Sequence, residues 1–330
     1  MRPFTYARVS SLNEAARESS RPGAMVLAGG TTLVDLMRGN VLAPDHLVDI
    51  RRLPGLDGVE ETGTWLRIGA LSRMADVATD ERVRARYPAI AESLRLAASQ
   101  QVRNMATIGG NLLQRTRCPY YRDGDSPCNK REPGTGCSAL AGPDRDSAVL
   151  GGSESCVAVY PGDLGVSLVA FEASVELLSA GGPKTLPFAE LHRDVADEPE
   201  RETTLSPGDI VTAVTIPNSA LVRGSAYVKV ADRARYAFAI ASAAAGLTIE
   251  DGVVTAARVG LGGVATRPWR SHEAEAELVG RPLTADTAKA AGRAAFAAAR
   301  AGRDNAVKIT LGPRVVEQAC LRAGQGGERA

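Results

Sequence analysis

Large and small side chains alternate from Phe4 to Val9, which predicts a strand. Ser11 followed three residues later by Glu14 is a capping-box pattern and predicts a helix to about Ser19. Pro22-Gly23 then turns the chain into a short apolar strand over residues 24–28. Gly29-Gly30 leads into Thr31-Thr32-Leu33-Val34-Asp35-Leu36-Met37, which reads as a helix start. Further strands are expected over 46–50 and 65–70, and apolar residues at helical spacing over 83–99 predict the longest helix of this half. The order β-α-β-α-β calls for an α/β or α+β domain.

Periodicity vanishes between 114 and 156, where Arg, Asp, Gly, Pro and Cys crowd together. A stretch of that length without periodicity inside a domain is usually functional or disordered. Regular structure resumes over 165–178, and a strand is expected over 209–216. Three more strands are expected over 226–230, 239–249 and 253–261, followed by Ala-rich helices over 271–279, 284–300 and 313–322. The change of character near 217–224 sets the expected division: a first domain over 1–220 with an insertion at 114–160, and a second, α+β domain over 221–330.

Composition narrows the function classes. Apolar residues make up 44% and charged residues 23% of the 330, as in ordinary globular proteins. A net charge of +1 gives no electrostatic case for nucleic acid or an anionic membrane, and 4% aromatics gives none for base stacking. The longest weakly polar run, 237–249, is too short to span a bilayer, which takes about 18 residues or more. The first twenty residues carry charge throughout and hold no apolar signal-peptide core. The expected location is therefore the cytoplasm, or the periplasm if a signal-bearing partner carries the chain across.

Two features carry chemistry. Cys118, Cys128, Cys137 and Cys156 fall in one window, separated by 9, 8 and 18 residues. A [4Fe–4S] cluster needs four thiolates and tolerates irregular loops. Zinc usually takes C-x-x-C knuckles, which are absent here, and disulfides suit exported chains. All three chemistries stay open on spacing alone. Arg115, Arg117, Arg122, Lys130 and Arg131 lie close enough in sequence to offset thiolate charge, and Gly134, Gly136, Gly151 and Gly152 would let the backbone wrap a cluster. Cys320, far along the chain, reads as a buried free thiol.

The second feature is a pair of diglycine loops, Leu27-Ala28-Gly29-Gly30-Thr31-Thr32-Leu33 and Thr107-Ile108-Gly109-Gly110-Asn111. Without Cβ atoms, such loops can turn backbone N–H groups onto a phosphate. A third run, Gly260-Leu261-Gly262-Gly263-Val264-Ala265, fits G-x-G-x-x-A, but Pro268 blocks the helix a dinucleotide fingerprint needs, so it reads as a strand end and turn. His46, His192 and His272 are scattered, and no side chain reads as a catalytic acid, base or nucleophile. That suits a protein whose chemistry belongs to its cofactors.

Three strings together resemble the FAD-binding subunit of the molybdenum hydroxylases, the family of xanthine dehydrogenases, carbon monoxide dehydrogenases and aldehyde oxidoreductases. They are residues 103–111, residues 28–33 and Gly224-Ser225-Ala226-Tyr227-Val228-Lys229-Val230. The likeness covers nearly the whole chain, the 261–268 run included. The cysteine insertion resembles the [4Fe–4S]-bearing subgroup; its Gln114–Cys118 and Cys128–Gly134 runs look closer to the aldehyde enzymes than to the 4-hydroxybenzoyl-CoA reductases. The resemblance implies an α+β fold: a two-part, PCMH-type FAD-binding domain, then a smaller domain with a three-stranded antiparallel sheet and helices, like the CO dehydrogenase flavoprotein C-terminal domain.

By the same resemblance, Val26, Leu27, Ala28, Gly29, Gly30, Thr31, Thr32, Leu33 and Val34, with Thr107, Ile108, Gly109, Gly110 and Asn111, hold the pyrophosphate and ribityl of non-covalent FAD. Asp163, Val211 and Lys229 match positions near the cofactor, and Cys118, Cys128, Cys137 and Cys156 match ligands of one [4Fe–4S] cluster. Ala237 stands where many relatives carry an acid. The implied partners are a molybdopterin-containing large subunit, a small [2Fe–2S] subunit and an external electron acceptor. Substrate chemistry, the oxidation of an aldehyde, falls to the large subunit. A benzoyl-CoA-type or xanthine-type oxidoreductase subunit is the rival enzyme, and a zinc-stabilised binding module is the rival of another class.

Overall fold

The computed structural model describes residues 1–196 and 198–327. The first sheet is parallel. It comprises β1 (Thr5–Arg8), β2 (Ala24–Leu27) and β3 (His46–Asp49), with β3 in the middle. Helix Leu12–Ser19 joins the first two strands. Ser11 Oγ accepts from Glu14 N at 3.2 Å, and the Glu14 carboxylate reaches back to the Ser10 N–H at 2.7 Å. This satisfies helix N-terminal donors much as the capping-box pattern anticipates.

A second sheet holds β4 (Val59–Glu61), β5 (Trp65–Gly69), β6 (Ser174–Ser179), β7 (Gly182–Pro187) and β8 (Ile210–Pro217), in the order β4-β5-β8-β6-β7, all antiparallel. Its core packs against helices Met74–Thr79, Pro88–Leu96, Ile108–Leu112 and Asp163–Ala170. The single helix expected over 83–99 is two, Glu81–Arg86 and Pro88–Leu96. Tyr87 leaves the helical region (φ −132°, ψ 54°) because the following proline ring crowds a helical conformation there, and Pro88 then starts the next helix.

The last sheet comprises β9 (Ser225–Val230), β10 (Ala241–Glu250), β11 (Val253–Gly262) and β12 (Trp269–Arg270), ordered β12-β11-β10-β9 and antiparallel. The three-stranded expectation is one short, because the two-residue β12 is too brief to leave a period in the sequence. Helices His272–Leu278, Ala285–Ala295 and Val307–Gly327 pack with this sheet in a core of their own, and Cys320 lies fully buried within it. Among the described residues no helix is long and apolar enough to cross a membrane.

All eight residues of helix Asp163–Ala170 are buried, and the helix contacts both β10 and β11. The G-x-G of β11 has a packing cause here. A Cβ on Gly260 would sit 2.3 Å from the Val166 carbonyl oxygen, and one on Gly262 would sit 2.3 Å from Val166 Cγ2. Glycine lets the helix lie directly on the strand, and that placement holds Asp163 within reach of β9.

Candidate functional site

The first glycine loop follows β2 and precedes helix Leu33–Arg38. Gly30 takes φ +74°, a conformation that costs glycine little. The N–H groups of Gly29, Gly30, Thr31, Thr32 and Leu33 donate to no acceptor among the described residues. A run of unspent donors at a helix N-terminus is a nest for an anion.

The second loop differs from expectation. Residues Ile108–Leu112 form a helical turn whose N–H groups are already used. Ile108 donates to the Ser72 carbonyl at 2.9 Å, Gly109 to the Ala70 carbonyl at 2.8 Å, and Gly110 to Thr107 Oγ1 at 3.3 Å. This loop therefore offers surface and side chains, whereas the free backbone donors come from the first loop alone.

Between the loops lies a cavity of about 260 Å³. Val26, Ala28, Gly29, Gly30, Thr31, Thr32, Leu33, Thr107, Gly109, Gly110 and Val211 all line it. Thr31, Thr32 and Gly110 are shared with a smaller cavity of about 60 Å³, where Asn111 and Asp163 appear. Asp163 in turn borders a broad cleft of about 740 Å³. The three spaces adjoin in sequence through these shared walls. Leu27, Val34, Ile108 and Lys229 line none of them. Leu27 and Val34 pack against the Gly30 position, and Ile108 is fully buried in the core.

Lys229 is paired with Asp163. Its Nζ donates to Asp163 Oδ2 at 2.7 Å and to the Leu96 carbonyl at 3.0 Å. The Tyr227 hydroxyl donates to Asp163 Oδ1 at 2.6 Å, and burial beside that carboxylate holds the phenol well above its usual range. Tyr227 sits in the Gly224–Val230 string yet carries no signal of its own in the sequence; only the fold brings it to Asp163. Asn111 donates Nδ2 to Met74 Sδ at 3.4 Å, while its buried Oδ1 has no partner among the described residues. An orphaned buried acceptor on a cavity wall is a position for a ligand donor.

Ala237 lies on the rim of the broad cleft between exposed Tyr236 and Phe238. Arg117 lies over the Phe238 ring at 4.7 Å, and Arg233 over Tyr236 at 5.5 Å.

The four window cysteines line one narrow cavity of about 10 Å³. All are free thiols, so the disulfide alternative is not what the structure holds. Cys128 and Cys137 face each other across an isolated antiparallel bridge. Asn129 fixes that hairpin: its Oδ1 accepts from Gly134 N (3.1 Å) and Gly136 N (2.8 Å), and its Nδ2 donates to the Ser155 carbonyl (3.0 Å) next to Cys156. Both glycines have positive φ. Burial pushes the Cys118 thiol up and the Cys156 thiol up to about 11, with Lys130 pulling against it at Cys156. Among the described residues no three His, Cys, Asp or Glu side chains converge as a single bare ion requires.

The surrounding cations are largely committed elsewhere, contrary to the expectation that all five offset the thiolates. Arg117 and Arg122 pair with Asp35, Arg115 with Glu202, and Arg131 donates to the carbonyls of Tyr120 and Tyr121. Only Lys130 lines the thiol cavity, and its Nζ also meets Glu202 at 2.8 Å.

His192 takes no part in either site. Its ring meets Tyr160 and Phe188 edge-on at 4.7 and 5.4 Å, and its buried Nε2 has no partner among the described residues. Desolvation, with Arg267 adding repulsion, lowers its pKa from 6.5 to about 3. Between those values the unfolded chain binds the extra proton, so stability falls as pH drops below 6.5, by up to about 1.4 kcal/mol per pH unit. Urea melts of His192→Phe between pH 7 and 5 should show a correspondingly flatter pH slope; a slope identical to the parent's would refute a neutral buried imidazole.

Residues 2–219 match the family described as the FAD binding domain in molybdopterin dehydrogenase, and residues 226–322 match the CO dehydrogenase flavoprotein C-terminal domain. The aldehyde oxidoreductase FAD-binding subunit PaoB of Escherichia coli K12 is 44% identical over 326 residues, covering 98% of this chain and 99% of that protein. The carbon monoxide dehydrogenase medium chain of Afipia carboxidovorans is 30% identical, covering 97% and 98%. Among solved structures, a chain of carbon monoxide dehydrogenase from Hydrogenophaga pseudoflava superposes with a TM-score of 0.76 at 26% identity, covering 99% of each chain.

Proposed function

This chain belongs to the family of FAD-binding domains of molybdopterin dehydrogenases, and on that premise we propose that it is the FAD- and [4Fe–4S]-binding electron-transfer subunit of a molybdenum hydroxylase complex that oxidises aldehydes to carboxylates. In this reading the aldehyde reacts on a molybdopterin-containing large subunit, and electrons arrive through a small [2Fe–2S] subunit and leave to an external acceptor. FAD supplies the exchange between single electrons and electron pairs.

The observation that carries the reading is the row of unspent N–H groups from Gly29 to Leu33 on a cavity wall. Those donors suit the pyrophosphate. Val26 and Val211 give the same cavity apolar walls, and Asn111 Oδ1 offers the next space an acceptor for a ribityl hydroxyl. Lys229 and Tyr227 hold Asp163 in one orientation at the entrance to the broad cleft. The four thiols line one cavity, which supports the cluster reading: a [4Fe–4S] cluster brings its own sulfides and takes ligands spread about it rather than gathered on one ion.

Among the described residues no histidine or cysteine lines the two cavities nearest the glycine loops, which supports non-covalent binding. Acid precipitation of the purified, yellow-brown protein should leave all flavin in the supernatant; flavin in the pellet, or a colourless protein, would count against this reading. Tagged chain drawn from its own cells should bring molybdenum and [2Fe–2S] subunits with aldehyde-oxidising activity. A purine-oxidising complex would place it with the xanthine enzymes instead.

A further inference from the structure

The cysteine loop is fastened to the helix that presents the first glycine loop. Asp35, in the first turn of Leu33–Arg38, pairs with Arg117 at 3.2 Å and with Arg122. Leu36 is fully buried in one small cluster with Tyr121 and Cys128, with Leu42 and Cys118 packed at its margin. Leu36 and Leu42 also line the cavity below the first glycine loop, while Tyr121, Cys118 and Cys128 line the thiol cavity. The Tyr121 ring, 1% exposed, therefore stands between the two sites. Arg115, on the wall of the first cavity, lies 5.2 Å over that ring. Among the described residues the Tyr121 hydroxyl has no partner, and the side chain contributes its ring to the packing here.

We propose that Tyr121 is a positioning residue through which filling of the four-thiol site sets the first glycine loop for the FAD pyrophosphate, so that cluster loading and flavin binding are coupled. This rests on the cofactor reading above. A filled thiol site fixes Cys118 and Cys128 behind the ring, the ring backs Leu36, and Leu36 fixes the helix whose first turn follows the free N–H groups. An empty site leaves the ring without that backing. The coupling is reciprocal by linkage.

The test uses the full chain in two forms, reconstituted anaerobically with ferrous iron and sulfide, or stripped with a chelator. FAD is titrated into each and followed by flavin fluorescence. The loaded form should bind FAD about tenfold more tightly. Tyr121→Ala should bind FAD equally in both forms, at the weaker affinity, whereas Tyr121→Phe should keep the tenfold ratio. Should Tyr121→Ala not fold, Asp35→Asn, at an exposed position, should shrink the ratio severalfold. Glu172→Gln, which removes the ion pairs of Glu172 with Arg258 and Arg270 away from both cavities, should leave it intact. Equal FAD affinity of the loaded and stripped parent overturns the coupling alone, as does a full ratio in both Tyr121→Ala and Asp35→Asn. A chain that takes up no iron overturns the cluster reading, and the coupling with it.

Discussion

Changing any one of Cys118, Cys128, Cys137 or Cys156 to serine is expected to lower bound iron below four per chain or to yield a three-iron species, while Cys320→Ala leaves iron unchanged. The four thiols share one cavity, so each variant removes one corner of a single ligand set. Metal binding is also folding free energy, and this loop has little regular structure beyond the turns Pro119–Arg122 and Ser138–Leu140 and the Cys128–Cys137 bridge, so the 114–160 segment should become protease-sensitive in all four variants. Cys320 lies 0% exposed in helix Val307–Gly327, within the core that the last sheet shares with its helices. Burial pushes its thiol up to about 12, as suits an inert apolar side chain. Alanine is the control there, because a serine hydroxyl would be buried without a partner, at a cost of about 1–3 kcal/mol. Iron and sulfide analysis with electron paramagnetic resonance decides the matter. Loss of iron from Cys320→Ala, with four irons kept in any of the other variants, would sink the assignment.

Local chemistry was readable where one residue dictates one geometry. The Ser11–Glu14 cap, the glycine-rich break after β2 and the long β10–β11 hairpin all stand in the structure near the positions their patterns predict. What escaped is decided by distant neighbours. β7 reads GPKTLP, with two prolines and no alternation, and it is tolerated because it lies at a sheet edge. β4 and β12 have three and two residues, too few for a period. The G-x-G of β11 imitates a nucleotide loop, while its cause is the Val166 backbone and side chain lying across the strand.

The candidate site shows the same division. Glycine spacing marked two loops as equivalent, yet their hydrogen bonds differ: one is pinned to the Ala70–Ser72 turn and the other keeps its donors free. The cations near the cysteines looked like counter-charges, but sequence distance does not record where a long side chain points. Asp35 and Glu202 lie far along the chain from the arginines they hold. Tyr227 and Tyr121 belong to the same class of miss, since a lone tyrosine carries no period and no motif.

Gly110→Val is expected to weaken FAD binding by on the order of 100-fold or more while the chain folds and keeps its iron. Gly110 is exposed on the wall shared by the first two cavities, and an added Cβ there meets only Thr107 Oγ1, at 3.1 Å. Its backbone is helical and its φ is not positive, so valine brings no backbone strain. The isopropyl group instead enters the passage that Gly110 shares with Thr31 and Thr32. Gly29 is a different case. A Cβ there would lie 2.2 Å from the Met105 carbonyl oxygen, so Gly29→Val forces the two loops apart and confounds binding with folding. The pair of variants separates the roles. Gly110→Val should show a parental melting temperature without flavin and FAD binding weaker by on the order of 100-fold or more, about 2.7 kcal/mol. Gly29→Val should lower the flavin-free melting temperature as well. Flavin titration and thermal melts of the stripped proteins read both effects. Full flavin occupancy in a folded Gly110→Val protein would mean that the cavity between the loops is not where FAD lies.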